Sequence, residues 1–221
     1  MAMTDYSRLL ISLQGHVGAL ESKFIRPHLP LVATTTPDSY DLDVRAFCVL
    51  THAAFEQFVE EVCVGLAQDA SQAWLYNQCC SQPLLALMAF QSDRLSIEED
   101  EAKPETSFFT HIRLASDEAR SAFSKYLRTQ NHGVSVKYLR HMLLSVGLEV
   151  PDNARWLGSL NQLAGQRGDL AHKSHVKKIP SPDAAQTWVR DCMEMLAKIC
   201  KDATVALQRP QFIEDHRNFT I

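Results

Sequence analysis

Between Leu42 and Asp69 the chain carries apolar residues on almost every side of a helix. Val44, Cys48, Phe55, Val59, Val62 and Leu66 recur at steps of three, four and seven, the spacing of one helical face. Phe47, Leu50, Ala54 and Phe58 widen that face until little of the circumference is left for water. A helix of this kind is stable only when other elements enclose it, which makes it the expected centre of a helical bundle. Asp41 or Asp43 stands where an N-terminal cap is needed.

Polar residues on such a helix need partners, because burying one unpaired costs about 1–3 kcal/mol. Arg45, His52, Glu56 and Glu60 fall on a single stripe, with Val49 between the first two. Glu56 has two readings. It is a buried acid facing a cleft, or it pairs with Arg45 or another base to fix the register of the helix. Arg45 and Glu60 are expected to be structural, with Glu60 facing solvent.

The rest of the chain is also written in helical period. With 8 Gly and few runs of alternating polarity, a sheet-rich fold is disfavoured. Helices are expected at about 4–25, about 71–91 with a bend near Pro83, about 109–129, about 134–146 and about 183–208. Another begins after Asp152 or Asn153 and carries Trp156, Leu157, Leu160 and Leu163. Arg26 to Asp41, with three prolines and a run of Thr, reads as a loop. The block Glu98-Glu99-Asp100-Glu101 reads as a solvated acidic loop. The expectation is one all-α domain over residues 1–221, a bundle with a mid-chain helical insertion.

Bulk properties narrow the function. A formal net charge of −4 argues against coating nucleic acid by overall electrostatics, though it leaves room for a local basic site. No apolar run reaches the roughly 18–20 residues that span a bilayer, and MAMTDYSRLL lacks the basic and apolar regions of a secretion signal. Cys48, Cys63, Cys192 and Cys200 sit among apolar residues at helical spacing, as small hydrophobes do. No paired C-x2-C motif suggests a metal, and no cofactor is expected. A reduced, cytoplasmic protein without membrane attachment is the reading that follows.

One segment suggests chemistry. Residues 167–172 read Arg-Gly-Asp-Leu-Ala-His at the end of an apolar helical stretch. A histidine moves protons near neutral pH, and an arginine fork holds a phosphate and the charge that develops on it. The bland alternatives are an arginine that satisfies the carbonyls of a helix end and a histidine that caps or packs.

Two segments together, RAFCVLTHAAFEQFVEEV and LNQLAGQRGDLAH, resemble the HEPN superfamily, and within it the RiboL-PSP-HEPN branch. Arg45, Leu50, Ala54, Phe55, Glu56 and Phe58 fall on the first pattern, and Leu163, Arg167, Ala171 and His172 on the second. The resemblance implies an HEPN-type helical bundle that pairs as a homodimer. It also implies metal-independent cleavage of RNA by R-x4-6-H motifs meeting in one cleft, often in toxin–antitoxin or antiviral defence with an antitoxin or other protein partner. Arg167 and His172 would then be catalytic, with Glu56 or Asp169 orienting them. Gly168 departs from the polar residue common after the motif arginine, and a helix ending there is expected to let Arg167 and His172 turn toward one cleft. The run Lys173, His175, Lys177 and Lys178 is either an RNA-backbone contact or a solvated loop. The rival class is a catalytically silent module that binds a protein or RNA partner.

Overall fold

A computed structural model of the chain describes residues 3–31, 36–91, 108–130, 133–172 and 179–207. Within α-helices, the side chains of Gln91, Phe108, Phe109 and residues 168–172 are not among those described. Seven α-helices are described: α1 (Tyr6–Phe24), α2 (Asp41–Asn77), α3 (Gln82–Gln91), α4 (Phe108–Thr129), α5 (Val136–Ser145), α6 (Ala154–His172) and α7 (Pro182–Ala206). Short 3₁₀ turns at Arg26–His28 and Pro37–Ser39 carry the chain from α1 to α2, and no strand occurs among the described residues. The acidic block at residues 98–101 and the basic run from Lys173 to Lys178 lie outside the described residues.

The centre is α2. It packs against every other α-helix, with α1, α6 and α7 as one group and α3, α4 and α5 as another. Val44, Phe47, Cys48, Phe55, Val59, Val62, Cys63 and Leu66 are completely inaccessible. Each fully buried large apolar side chain stabilises the fold by about 1.5–3 kcal/mol relative to exposure. The enclosure is not complete: Leu50 and Val64 keep 42% and 40% of their surface, so a narrow stripe of α2 meets solvent. The mid-chain helices form the expected insertion, packed on α2 and on one another.

Helix ends follow local chemistry, with three departures from the sequence pattern. The Asp5 side chain accepts from the Arg8 amide, Ser135 from Tyr138 and Ser181 from Ala184, each capping a helix start. Asn153 does the same for α6 by accepting from the amides of Arg155 and Trp156. At α2 neither Asp41 nor Asp43 is the cap; both lie in the first turn, where their charge complements the helix dipole. The bend expected at Pro83 is a break instead. α2 continues to Asn77, Gln78 turns left-handed at φ 52°, and Pro83 sits at the second position of α3, where its missing N–H costs nothing. Likewise α6 does not stop at Gly168 but runs on to His172.

Buried polar groups bind the layers together. Asp69 of α2 accepts hydrogen bonds from the Thr4 amide at 3.0 Å and the Tyr6 hydroxyl at 2.9 Å, tying the start of α1 to the core. Asp191 of α7 accepts from Ser159 of α6 at 2.7 Å and pairs with Arg155 at 3.3 Å. That second junction fixes α7 against α6, the helix that carries Arg167. Hydrogen bonds to charged groups contribute about 1.5–3 kcal/mol each.

All six cysteines are free thiols, and Cys48, Cys63, Cys192 and Cys200 are buried. Burial pushes the Cys48 and Cys192 thiols up to about 12, and that of Cys63 higher still. The thiolate is the reactive form, so these groups are inert in the folded chain. A chromogenic disulfide reagent is expected to titrate only Cys79 and Cys80 rapidly in the native protein, and all six thiols after denaturation. Fast reaction of more than these two would contradict the packing of α2 and α7.

Candidate functional site: a histidine, a glutamate and an arginine at the junction of three elements

Three elements converge near the first half of α2. From α2 come His52 and Glu56, one turn apart and therefore on the same side. The stretch between α4 and α5 supplies Gly133 and Val134, and α6 supplies Arg167. Gly133 has φ 124°, in the region that only glycine enters readily. A β-carbon there would stand 3.0 Å from the His52 Cε1 and 4.0 Å from a carboxylate oxygen of Glu56. The backbone thus lies directly on the imidazole edge with the glutamate alongside. Two separate constraints, dihedral and space, demand glycine at position 133.

His52 is 2% exposed. Burial and, next, the positive charge of Arg167 hold its imidazole below the usual histidine range, while a hydrogen bond from the ring to the Val134 backbone works in the opposite direction. At neutral pH the ring is uncharged. It therefore presents one N–H and one bare nitrogen, able to orient a neighbour without adding to the positive charge of the arginine. The influence of Arg167 on His52 also places the half-buried guanidinium within electrostatic reach of the α2 stripe.

The other site residues expected from the sequence fall into two groups. Asp169 and His172 belong to the last turns of α6, and their side chains are not among those described. Lys173, His175, Lys177 and Lys178 lie outside the described residues altogether. Because α6 stays helical through Gly168, positions 167 and 172 lie about 140° apart around its axis. Arg45 stands apart from the cluster, in an ion pair with Asp41 one turn earlier. Glu60 is half-buried rather than turned fully to solvent. Among the described residues, no group of three or more His, Cys, Asp and Glu side chains could hold a metal ion.

The residue that sequence pattern alone does not single out is His52. Its signal is present: it precedes Glu56 by four on the polar stripe of a largely apolar helix. Its depth and its neighbour at Gly133, more than eighty residues away, become visible only in the fold.

A long central helix carrying a polar stripe, with a buried histidine under the charge of an arginine from a second helix, defines an all-helical protein with a polar cluster beside its central helix. The family model RiboL-PSP-HEPN matches residues 22–204, from the end of α1 almost to the end of α7. The chain belongs to the RiboL-PSP-HEPN family. No curated protein matches it, and no solved structure matches it. No helix among the described residues is long and apolar enough to cross a membrane.

Two outcomes follow from this geometry. Gly133→Ala is expected to destabilise the protein by about 1–3 kcal/mol, through a strained dihedral and a forced shift of His52. Denaturant titration against Gly158→Ala, where a β-carbon meets nothing within 4 Å, isolates the effect. The second concerns pH. A histidine whose folded pKa is depressed binds fewer protons folded than unfolded, so stability is fullest above the unfolded value of about 6.5 and falls as pH drops through it. Thermal melts between neutral and acidic pH should show this loss, and His52→Gln should reduce its slope. An identical slope in the variant would contradict a buried neutral His52.

Proposed function

We propose that this protein is a metal-independent endoribonuclease that cleaves single-stranded RNA. The observation that carries the reading is a neutral His52, with Glu56 one turn along the same helix, under the positive charge of Arg167, the first residue of the R-x4-H segment of α6. Membership of the RiboL-PSP-HEPN family supports an RNA-directed role.

The chemistry is a transesterification within the RNA. The 2'-oxygen attacks the adjacent phosphorus, the bond from phosphorus to the 5'-oxygen breaks, and the products are a 2',3'-cyclic phosphate and a free 5'-hydroxyl. His172 takes the proton from the 2'-hydroxyl or gives one to the leaving oxygen. Arg167 holds the nonbridging oxygens as charge builds on them. Glu56 fixes the guanidinium from the α2 side, and Asp169 is the second candidate for an orienting group. Lys173, His175, Lys177 and Lys178 would hold the phosphates on either side.

One copy of the R-x4-H motif offers one histidine, whereas the reaction needs both a base and an acid. A homodimer with its motifs facing each other supplies both. The wide angle between positions 167 and 172 on a continuous helix favours that arrangement, since one copy cannot easily turn both toward one phosphate. A toxin–antitoxin or antiviral setting, with an antitoxin or other protein holding the activity in check, fits such a nuclease in the cytoplasm.

A second reading, a silent module that binds RNA or a protein, is favoured by one residue. Gly168 supplies no side chain next to Arg167, where active relatives commonly carry a polar one. The two readings separate in one assay. Purified protein is expected to cut RNA in EDTA, to leave DNA intact and to yield cyclic-phosphate ends. His172→Ala should slow cleavage by about 10²- to 10⁴-fold. Arg167→Lys should be nearly as damaging, because a point charge cannot replace the bidentate fork. Both variants should keep the circular dichroism and the oligomeric state of the natural chain. Cleavage that is abolished by EDTA, or that survives both substitutions, would refute the mechanism.

A further inference from the structure

α2 and α4 run side by side and leave an open groove between them, away from the polar cluster. Its register is set where the Ser116 hydroxyl of α4 donates to the Ser71 hydroxyl of α2 at 2.9 Å, while Ala119 packs completely against the core. Two adjoining depressions of about 180 Å³ and 290 Å³ share Gln68 and Arg120. At about 30 Å³ per water, each has room for several waters, more space than a packing fault leaves.

Three arginines of α4 line it. Arg113 and Arg120 border the first depression, and Arg120 and Arg128 the second. Their spacing along the helix is about 11 Å, and from first to last about 22 Å. Arg113 is exposed, with no ion-pair partner among the described residues. Arg128 gives its Nε–H to the Ser124 carbonyl and keeps the rest of its fork outward. Arg120 pairs with Asp117 at 3.1 Å, but this pair is exposed and its Nε has no hydrogen-bond partner. Exposed pairs of this kind contribute little, about 0–1 kcal/mol, and exchange readily for another anion. Against the three positive charges stand Asp117 and, on the exposed stripe of α2, Glu61, which is already engaged by Gln57. At the far mouth Trp74 lines the wall and Tyr76 is 67% exposed, two rings of the kind on which bases stack.

The groove has a direction. The helices are antiparallel, so Trp74 and Tyr76 face Arg113 at one end, and Val64 accompanies Arg128 further on. Past Arg128, α4 ends at Thr129, and Gly133 follows, against His52 and Glu56. A chain lying on the arginines is thereby led to the polar cluster.

We infer that the α2–α4 groove is a binding track for the sugar–phosphate backbone of single-stranded RNA. Arg113, Arg120 and Arg128 contact phosphates, and Trp74 and Tyr76 receive a base at the far end. This inference rests on the ribonuclease reading for what the track serves, but the binding itself does not. A polyanion suits the groove better than a folded acidic protein. The charges follow one helix at intervals of about two turns, and they flank open depressions rather than a flat apolar face.

The test is binding of a fluorescein-labelled RNA of about 12 nucleotides, long enough for a site of the usual length. It carries 2'-O-methyl groups, so the proposed reaction cannot consume it. Anisotropy titrations between about 50 and 200 mM salt compare the natural chain, the triple variant Arg113→Gln/Arg120→Gln/Arg128→Gln, and Lys198→Gln on α7 as a control for lost charge. For single strands the slope of log affinity against log salt is about −0.7 per neutralised phosphate, so losing three contacts should flatten it by about 2. The affinity at low salt should fall about tenfold or more, with Lys198→Gln unchanged and all three proteins equally helical by circular dichroism. Trp74→Ala with Tyr76→Ala should weaken binding without altering the slope. Unchanged affinity and slope in the triple variant would overturn the track and leave these arginines to an acidic protein partner.

The two proposals fail separately. If the natural chain binds this RNA with the expected slope but never cuts its unmodified counterpart, the track stands and the nuclease falls. If the triple variant cuts RNA with an unaltered KM, the nuclease stands and the track falls.

Discussion

Enclosure of α2 is the constraint from which the rest of the molecule follows. A helix of 37 residues, about 55 Å long, with apolar side chains on most of its circumference, is unstable in water by itself. Six other helices close around it, and their order in space is the order in which they cover its faces. The same enclosure determines the fate of the few polar groups on it. His52 cannot keep a proton there at neutral pH, and Asp69 survives only because Tyr6 and the Thr4 amide both donate to it. Polar residues on an exposed helix are replaceable decoration. On α2 each one determines what must stand opposite.

This dependence explains what could be read from the sequence. Periods of three and four reported α1, α4, α5 and α7 nearly to their ends, because those helices show one apolar face, and Asp5, Ser135 and Ser181 cap the starts of α1, α5 and α7. The limits of α2 were harder. Gln68, Ser71 and Gln72 look like the polar end of a helix, yet they line a solvent groove while Ala67 and Ala70 continue the buried side. Pro83 suggested a bend because a proline within a helical pattern usually makes one; the left-handed Gln78 had already ended the helix. Gly168 suggested a stop, yet the turn it belongs to continues as α6, where glycine weakens a helix by about 1 kcal/mol without ending it.

The site was legible in part for a related reason. Glu56 and Arg167 stood out as charges in apolar surroundings; in the fold Glu56 lies near Gly133, and the charge of Arg167 acts on His52. His52 did not, since a histidine at helical spacing is unremarkable until its surroundings are known. Its partner in space is a glycine between α4 and α5, and contacts across such separations leave no periodic trace in one sequence. The groove arginines were likewise hidden by a net charge of −4, which averages over the whole surface and says nothing of where individual charges stand.

The position of α2 as a shared wall has a mechanical side. One group of helices grips it from α1, α6 and α7, and the other from α3, α4 and α5, along the same rigid rod. A hydrogen-bonded helix hardly stretches, so the spacing of about 33 Å along its axis between Trp74 and His52 is fixed. The two layers therefore have no independent freedom to slide lengthwise.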